Sequence, residues 1–109
     1  MRAERQTASA GELARRLAEH TGVQVVRYPG FGGLLSFDVA DGAAARTVET
    51  STLLIVNATS LGGVDSTLES RHRWEPERVP EGLLRLSVGL EPAEALWADL
   101  DAALAAANR

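Results

Sequence analysis

A chain of 109 residues is long enough for one domain and no more. Its net charge of −4 argues against a nucleic-acid groove, which needs a basic face. With no cysteine there is neither a disulfide framework nor thiolate chemistry, and all 11 basic residues are arginine, so the chain offers no lysine amine for a Schiff base.

Eighteen of the apolar residues are alanine, so the core is expected to be thin. No apolar run is long enough to span a bilayer, and no apolar stretch follows Met1. The expectation is a soluble cytoplasmic protein with no nucleic-acid or membrane partner.

Met1–Ala8 is charged and aperiodic and reads as a tail or a helical lead-in; residues 9–109 read as one domain. Ser9-Ala10-Gly11-Glu12 has the spacing of a capping box, with Ser9 as N-cap and Glu12 at the third helical position. The helix is expected to run to about Thr21, with Ala10, Leu13, Ala14 and Leu17 inward and Gly22 ending it. Val23–Tyr28 reads as a strand. Pro29-Gly30-Phe31-Gly32-Gly33 breaks it with turn residues, and no helix follows at once, so a phosphate loop is not indicated. Leu34–Val39 reads as a second strand, antiparallel to the first across that short connection.

Asp41 can cap a helix from Gly42 to about Ser51, with Ala44, Ala45 and Val48 inward. Leu53–Ala58 reads as a third strand, Ser66–Trp74 as a short helix, and Glu75–Gly82 as a loop with two prolines. In Leu83–Glu91, Leu84, Leu86 and Val88 alternate with Arg85 and Ser87, the period of a half-buried strand. Arg85 therefore leaves the face opposite the core. It is either a solvated sheet arginine or a forked donor held for a carboxylate or phosphate. Pro92 opens the last helix, where Leu96, Trp97, Leu100 and Leu104 keep a period near 3.6. The pattern predicts an α+β fold, a four-stranded antiparallel sheet with helices packed on one face.

Other chemistry is weakly signalled. His20 and His72 lack neighbours at metal-ligand spacing. Arg71, His72, Arg73 and Arg78 are interleaved with Glu69, Glu75, Glu77 and Glu81, the pattern of a salt-bridged surface or, less simply, of a loop lining an anion pocket. Asp65 with Ser66, and Ser87 with Glu91, lack a histidine base and are not read as catalytic pairs.

Five stretches in order carry a resemblance: RYPG at Arg27–Gly30, FGGLLSFDV at Phe31–Val39, SLGGVDS at Ser60–Ser66, LLRLSVGLE at Leu83–Glu91, and WADLDAAL at Trp97–Leu104. Together they resemble the C-terminal domain of the pyridoxal-phosphate enzymes of cysteine and methionine metabolism, the cystathionine γ-synthase and γ-lyase group. The resemblance implies a small domain docked on a large, lysine-bearing one that holds pyridoxal phosphate. It implies that Arg85 binds the substrate α-carboxylate and that Ser60, Leu61 and Gly62 line the same pocket, with no catalytic residue of its own and no metal. The implied activity of the whole is β- or γ-elimination or replacement on sulfur amino acids. The alternative is a binding or interaction module that keeps the fold without the chemistry. The expected partner is a lysine-bearing large domain or, by self-association, a second copy. Two departures stand out. Gly30 runs straight into Phe31 where the family carries a further helical segment. Ser70-Arg71-His72-Arg73-Trp74 stands in place of the family's histidine-proline stretch.

Overall fold

Among the described residues, three helices lie against a five-stranded mixed sheet. The computed structural model describes residues 2–58, 65–72 and 74–108. In chain order the elements are α1 (Arg2–Ala18), β1 (Val25–Arg27), β2 (Leu34–Asp38), α2 (Gly42–Ser51), β3 (Val56–Asn57), β4 (Thr67–Ser70), β5 (Leu83–Ser87) and α3 (Ala93–Ala107). The strand order is β1-β2-β5-β4-β3. All neighbours are antiparallel except β3 and β4, which run parallel.

The alternation read in the sequence decides which face is covered. Leu35 and Phe37 of β2, Leu84 and Leu86 of β5, and Leu68 of β4 are buried in one cluster. From the helices the same cluster takes Leu13 and Leu17, Ala45 and Val48, and Leu96, Leu100 and Leu104. Burying each large side chain contributes about 1.5–3 kcal/mol. The opposite face carries Arg27, Ser36 and Arg85, held away from that core by the pleat.

The sequence reading is corrected in four places. First, α1 begins at Arg2, so Ser9 lies inside the helix, buried, and is not its N-cap. No glycine or proline interrupts residues 2–10, and Gln6 and Thr7 are both tied to other elements. Gln6 Nε2 donates to the Val88 carbonyl (3.0 Å), and Thr7 Oγ1 accepts the Gly32 N–H (2.9 Å). Second, Thr67–Ser70 is a strand, not part of a helix: Leu68 enters the core and the segment pairs along β5. Third, the sheet therefore has five strands and one parallel pair, not four antiparallel strands. Fourth, only Val56–Asn57 of the expected third strand is extended in the ladder. Leu53, Leu54 and Ile55 instead form a turn whose three N–H groups donate to the Asp99 carboxylate of α3 (2.7, 3.0 and 2.8 Å).

The other local signals hold. Asp41 caps α2 through the Ala44 N–H (2.8 Å), and β1 and β2 are antiparallel across the glycine turn. Gly30 and Gly32 there adopt φ of 99° and 78°, which side-chain-bearing residues rarely enter. Among the described residues no helix is long and apolar enough to cross a membrane.

Candidate carboxylate-binding site

One row of residues crosses the open face of the sheet. Arg27 pairs with Ser36, Ser36 with Arg85, and Arg85 with Glu69. Directly opposed residues on neighbouring strands stand close enough for their side chains to meet. Two arginines and a carboxylate thus share one line across β1, β2, β5 and β4.

The two arginines are held differently. Arg27 forms a bidentate pair with Asp38, Nη1 to Oδ1 at 2.8 Å and Nη2 to Oδ2 at 2.9 Å. Asp38 keeps that guanidinium firmly charged and uses its terminal edge. Among the described residues Arg85 is bound by Nη2 alone, to Oε1 of Glu69. Glu69 Oε1 also accepts from Arg71 Nη1 at 2.8 Å, and Arg71 turns its other nitrogens to Glu75 Oε2 (3.3 and 2.9 Å). Glu69 is 1% exposed, whereas the Arg85 side chain keeps 23% of its surface. Beside Arg85 lies a hollow of about 490 Å³, walled by Arg27, Pro29, Phe31, Leu34 and Ser36.

Arg85 therefore sits where the alternation places it, but it is not a free solvated side chain. It is half-buried, ion-paired, and open on one side to a partly apolar hollow. Ser60, Leu61 and Gly62 lie outside the described residues. The segment that follows them is anchored: the Glu91 carboxylate accepts the Ser66 N–H (3.0 Å) and hydroxyl (2.7 Å), and Ser66 Oγ accepts the Gly89 N–H (2.8 Å). Burial, the largest single influence, would raise the Glu91 pKa, but the two Ser66 donors together with the N–H of Glu91 itself outweigh it and hold the carboxyl below its usual value. Its charged form thus stabilises the fold. That stabilisation is complete above about pH 4.5 and is lost as pH falls through the lower folded value. In urea unfolding, the stability gap between the parent chain and Glu91→Gln should be widest above pH 4.5 and narrow in acid. A gap that does not vary with pH would count against the clamp.

The histidines take structural roles. His20 Nε2 meets Asp101 Oδ1 (3.0 Å) while its Nδ1 accepts the Gly22 N–H (2.9 Å). His72 Nδ1 meets the Val79 carbonyl at 2.8 Å. Among the described residues no group of acidic or histidine side chains could hold a metal. Arg71 of the basic stretch is salt-bridged, as the interleaving suggests; Arg73 lies outside the described residues. Sequence reasoning missed Glu69 as a partner of Arg85, because the segment holding it was read as a helix.

Residues 1–105 match the family described as Cys/Met metabolism PLP-dependent enzymes. The chain belongs to this family. It is 43% identical over 109 aligned positions to an L-methionine gamma-lyase of Streptomyces avermitilis, covering 90% of this chain and 26% of that protein. A cystathionine gamma-synthase of Haemophilus influenzae is 39% identical over 110 positions, with 92% and 30% covered. The crystal structure of metB from Corynebacterium glutamicum superposes with a TM-score of 0.89 at 34% identity, over 95% of this chain and 33% of that one. The chain thus spans about a third of the length of the relatives it matches. The family uses pyridoxal phosphate. The residues of this chain do not fit its covalent attachment, because there is no lysine among them.

Proposed function

We propose that this chain serves as the small, C-terminal-type domain of a pyridoxal-phosphate enzyme acting on sulfur amino acids, and that it supplies recognition of the substrate α-carboxylate. The observation that carries the reading is Arg85. It stands on a rigid strand within a family-typical stretch, bound by one nitrogen and facing a hollow. A planar fork with one edge free suits a carboxylate better than a round anion. Ser60, Leu61 and Gly62 are proposed as further walls of the same pocket, on the family likeness of SLGGVDS. The cofactor and its lysine would come from a large domain on which this one docks, in the cytoplasm.

The Streptomyces alignment spans 109 positions while taking in only 90% of this 109-residue chain, so the relative has residues without a counterpart here. On the family likeness we place them at the direct run from Gly30 to Phe31. That turn is nevertheless firmly held: Tyr28 donates its hydroxyl to the Gly32 carbonyl at 2.7 Å, and Thr7 takes the Gly32 N–H. The second reading, a binding module without chemistry, rests on the missing lysine. Its partner would be a second copy, with Phe31 (71% exposed) and Leu34 (44%) as the apolar contact beside the charged row.

Light scattering with and without a lysine-bearing large domain separates the two readings. Complex formation supports the first; self-association alone supports the second. Independently, incubation with pyridoxal phosphate and borohydride should label no internal residue of the chain, leaving only slow reaction at the N-terminal amine. A specific internal adduct on peptide mapping would contradict this.

A further inference from the structure

We infer that Glu69 is a positioning residue for Arg85, holding one nitrogen of its guanidinium so that a complete edge of the fork stays presented to the hollow beside Phe31 and Leu34. The inference rests on the reading of Arg85 as a carboxylate binder and adds the residue that aims it. Nη2 carries two hydrogens. Glu69 takes one, which leaves either the Nε–Nη2 or the Nη1–Nη2 edge whole. Arg27 in the same row is held by a whole edge instead, Nη1 and Nη2 together on Asp38, which leaves it the Nε–Nη2 edge.

Stability does not explain why a carboxylate stands at position 69. The side chain is 1% exposed, and its Oε2 is buried with no hydrogen-bond donor among the described residues. Such a group costs desolvation that an apolar side chain would not. Yet Glu69 is fixed from both sides. The register sets it directly opposite Arg85, and Arg71, itself anchored by Glu75, grips the same Oε1. Glu75, Arg71, Glu69 and Arg85 form a chain of alternating charge with no net excess. Its free end is the open edge of Arg85. A guanidinium left unheld on a long side chain would have to be ordered by each ligand.

The test uses the 109-residue chain, labelled for side-chain NMR. Rotation about the Arg85 Nε–Cζ bond should be slow in the parent, with separate Nη signals, and fast in Glu69→Gln. Acetate should shift the Arg85 signals more strongly than bromide does in the parent. In Glu69→Gln that preference for a planar anion should fall roughly two- to tenfold, the effect of one side chain that must now be ordered on binding. A role confined to stability would leave the preference unchanged. Unaltered rotation and preference in Glu69→Gln overturn the inference alone. Acetate that leaves every Arg85 signal of the parent unmoved overturns the site reading and the inference with it. Free rotation in the parent overturns the inference without any variant.

Discussion

Arg85→Ala should lower kcat/KM for amino-acid substrates by roughly ten- to hundredfold in an enzyme assembled from this chain and a lysine-bearing large domain. A hydrogen bond to a charged group is worth about 1.5–3 kcal/mol, and removal of a contact to the α-carboxylate appears directly in kcat/KM. Analogues lacking that carboxylate should lose far less. Arg85→Lys keeps the charge but not the fork, so it should fall between the two proteins. The position of Arg85 on the face away from the core would by itself predict no effect on folding. The partnership with Glu69 changes that expectation. Arg85→Ala leaves a buried carboxylate with Arg71 as its remaining cation among the described residues, so a loss of about 1–3 kcal/mol in the isolated chain is expected. Adding Glu69→Gln should recover part of the stability and none of the activity. Steady-state kinetics on both substrate classes, with urea unfolding of the chain, checks the pair. Equal weakening of both classes would reduce Arg85 to a structural ion-pair residue.

What could be read in the sequence was local and periodic. Leu84, Leu86 and Val88 fix the buried face of β5, and so the direction of Arg85, through a two-residue repeat that needs no knowledge of the partner strands. Asp41, the turn at Pro29–Gly33 and the stripe of α3 are likewise signals within a few residues. The misses share another cause. β4 has four residues, too few for a period to show, and one of them is a glutamate whose burial depends on arginines 2 and 16 positions away. Leu53–Ile55 looks like a strand until Asp99, more than 40 residues on, takes its three N–H groups. The Ser66–Glu91 contact joins residues that the sequence offered only in other pairings. Each of these depends on tertiary placement, and in each a charged side chain takes up backbone or side-chain donors, which no hydrophobic pattern records.

Gly82→Ala should destabilise the chain by about 3 kcal/mol or more, through overpacking of backbone on backbone. Gly82 precedes β5 at the point where it leaves β2: its carbonyl accepts the Val39 N–H at 2.9 Å, and the next residue, Leu83, pairs with Asp38. A Cβ on Gly82 would stand 2.1 Å from the Val39 carbonyl oxygen and 2.9 Å from the carbonyl carbon. Both are main-chain atoms in the ladder, so no side-chain rotation relieves the clash. Relief requires the strand ends to part, which gives up the Val39 bond and loosens the row on which Arg27, Ser36 and Arg85 are aligned. For a domain of this size the melting temperature should fall by roughly 10–20 °C. Gly42→Ala supplies the contrast. A Cβ there meets the Glu81 side chain at 3.6 Å, an ordinary contact, and the residue opens α2, where alanine favours the helix. Gly42→Ala should therefore match or slightly exceed the parent in thermal unfolding followed by circular dichroism. If Gly82→Ala melts as high as Gly42→Ala, the close approach of the two backbones at the end of β2 and β5 is not the constraint proposed for it.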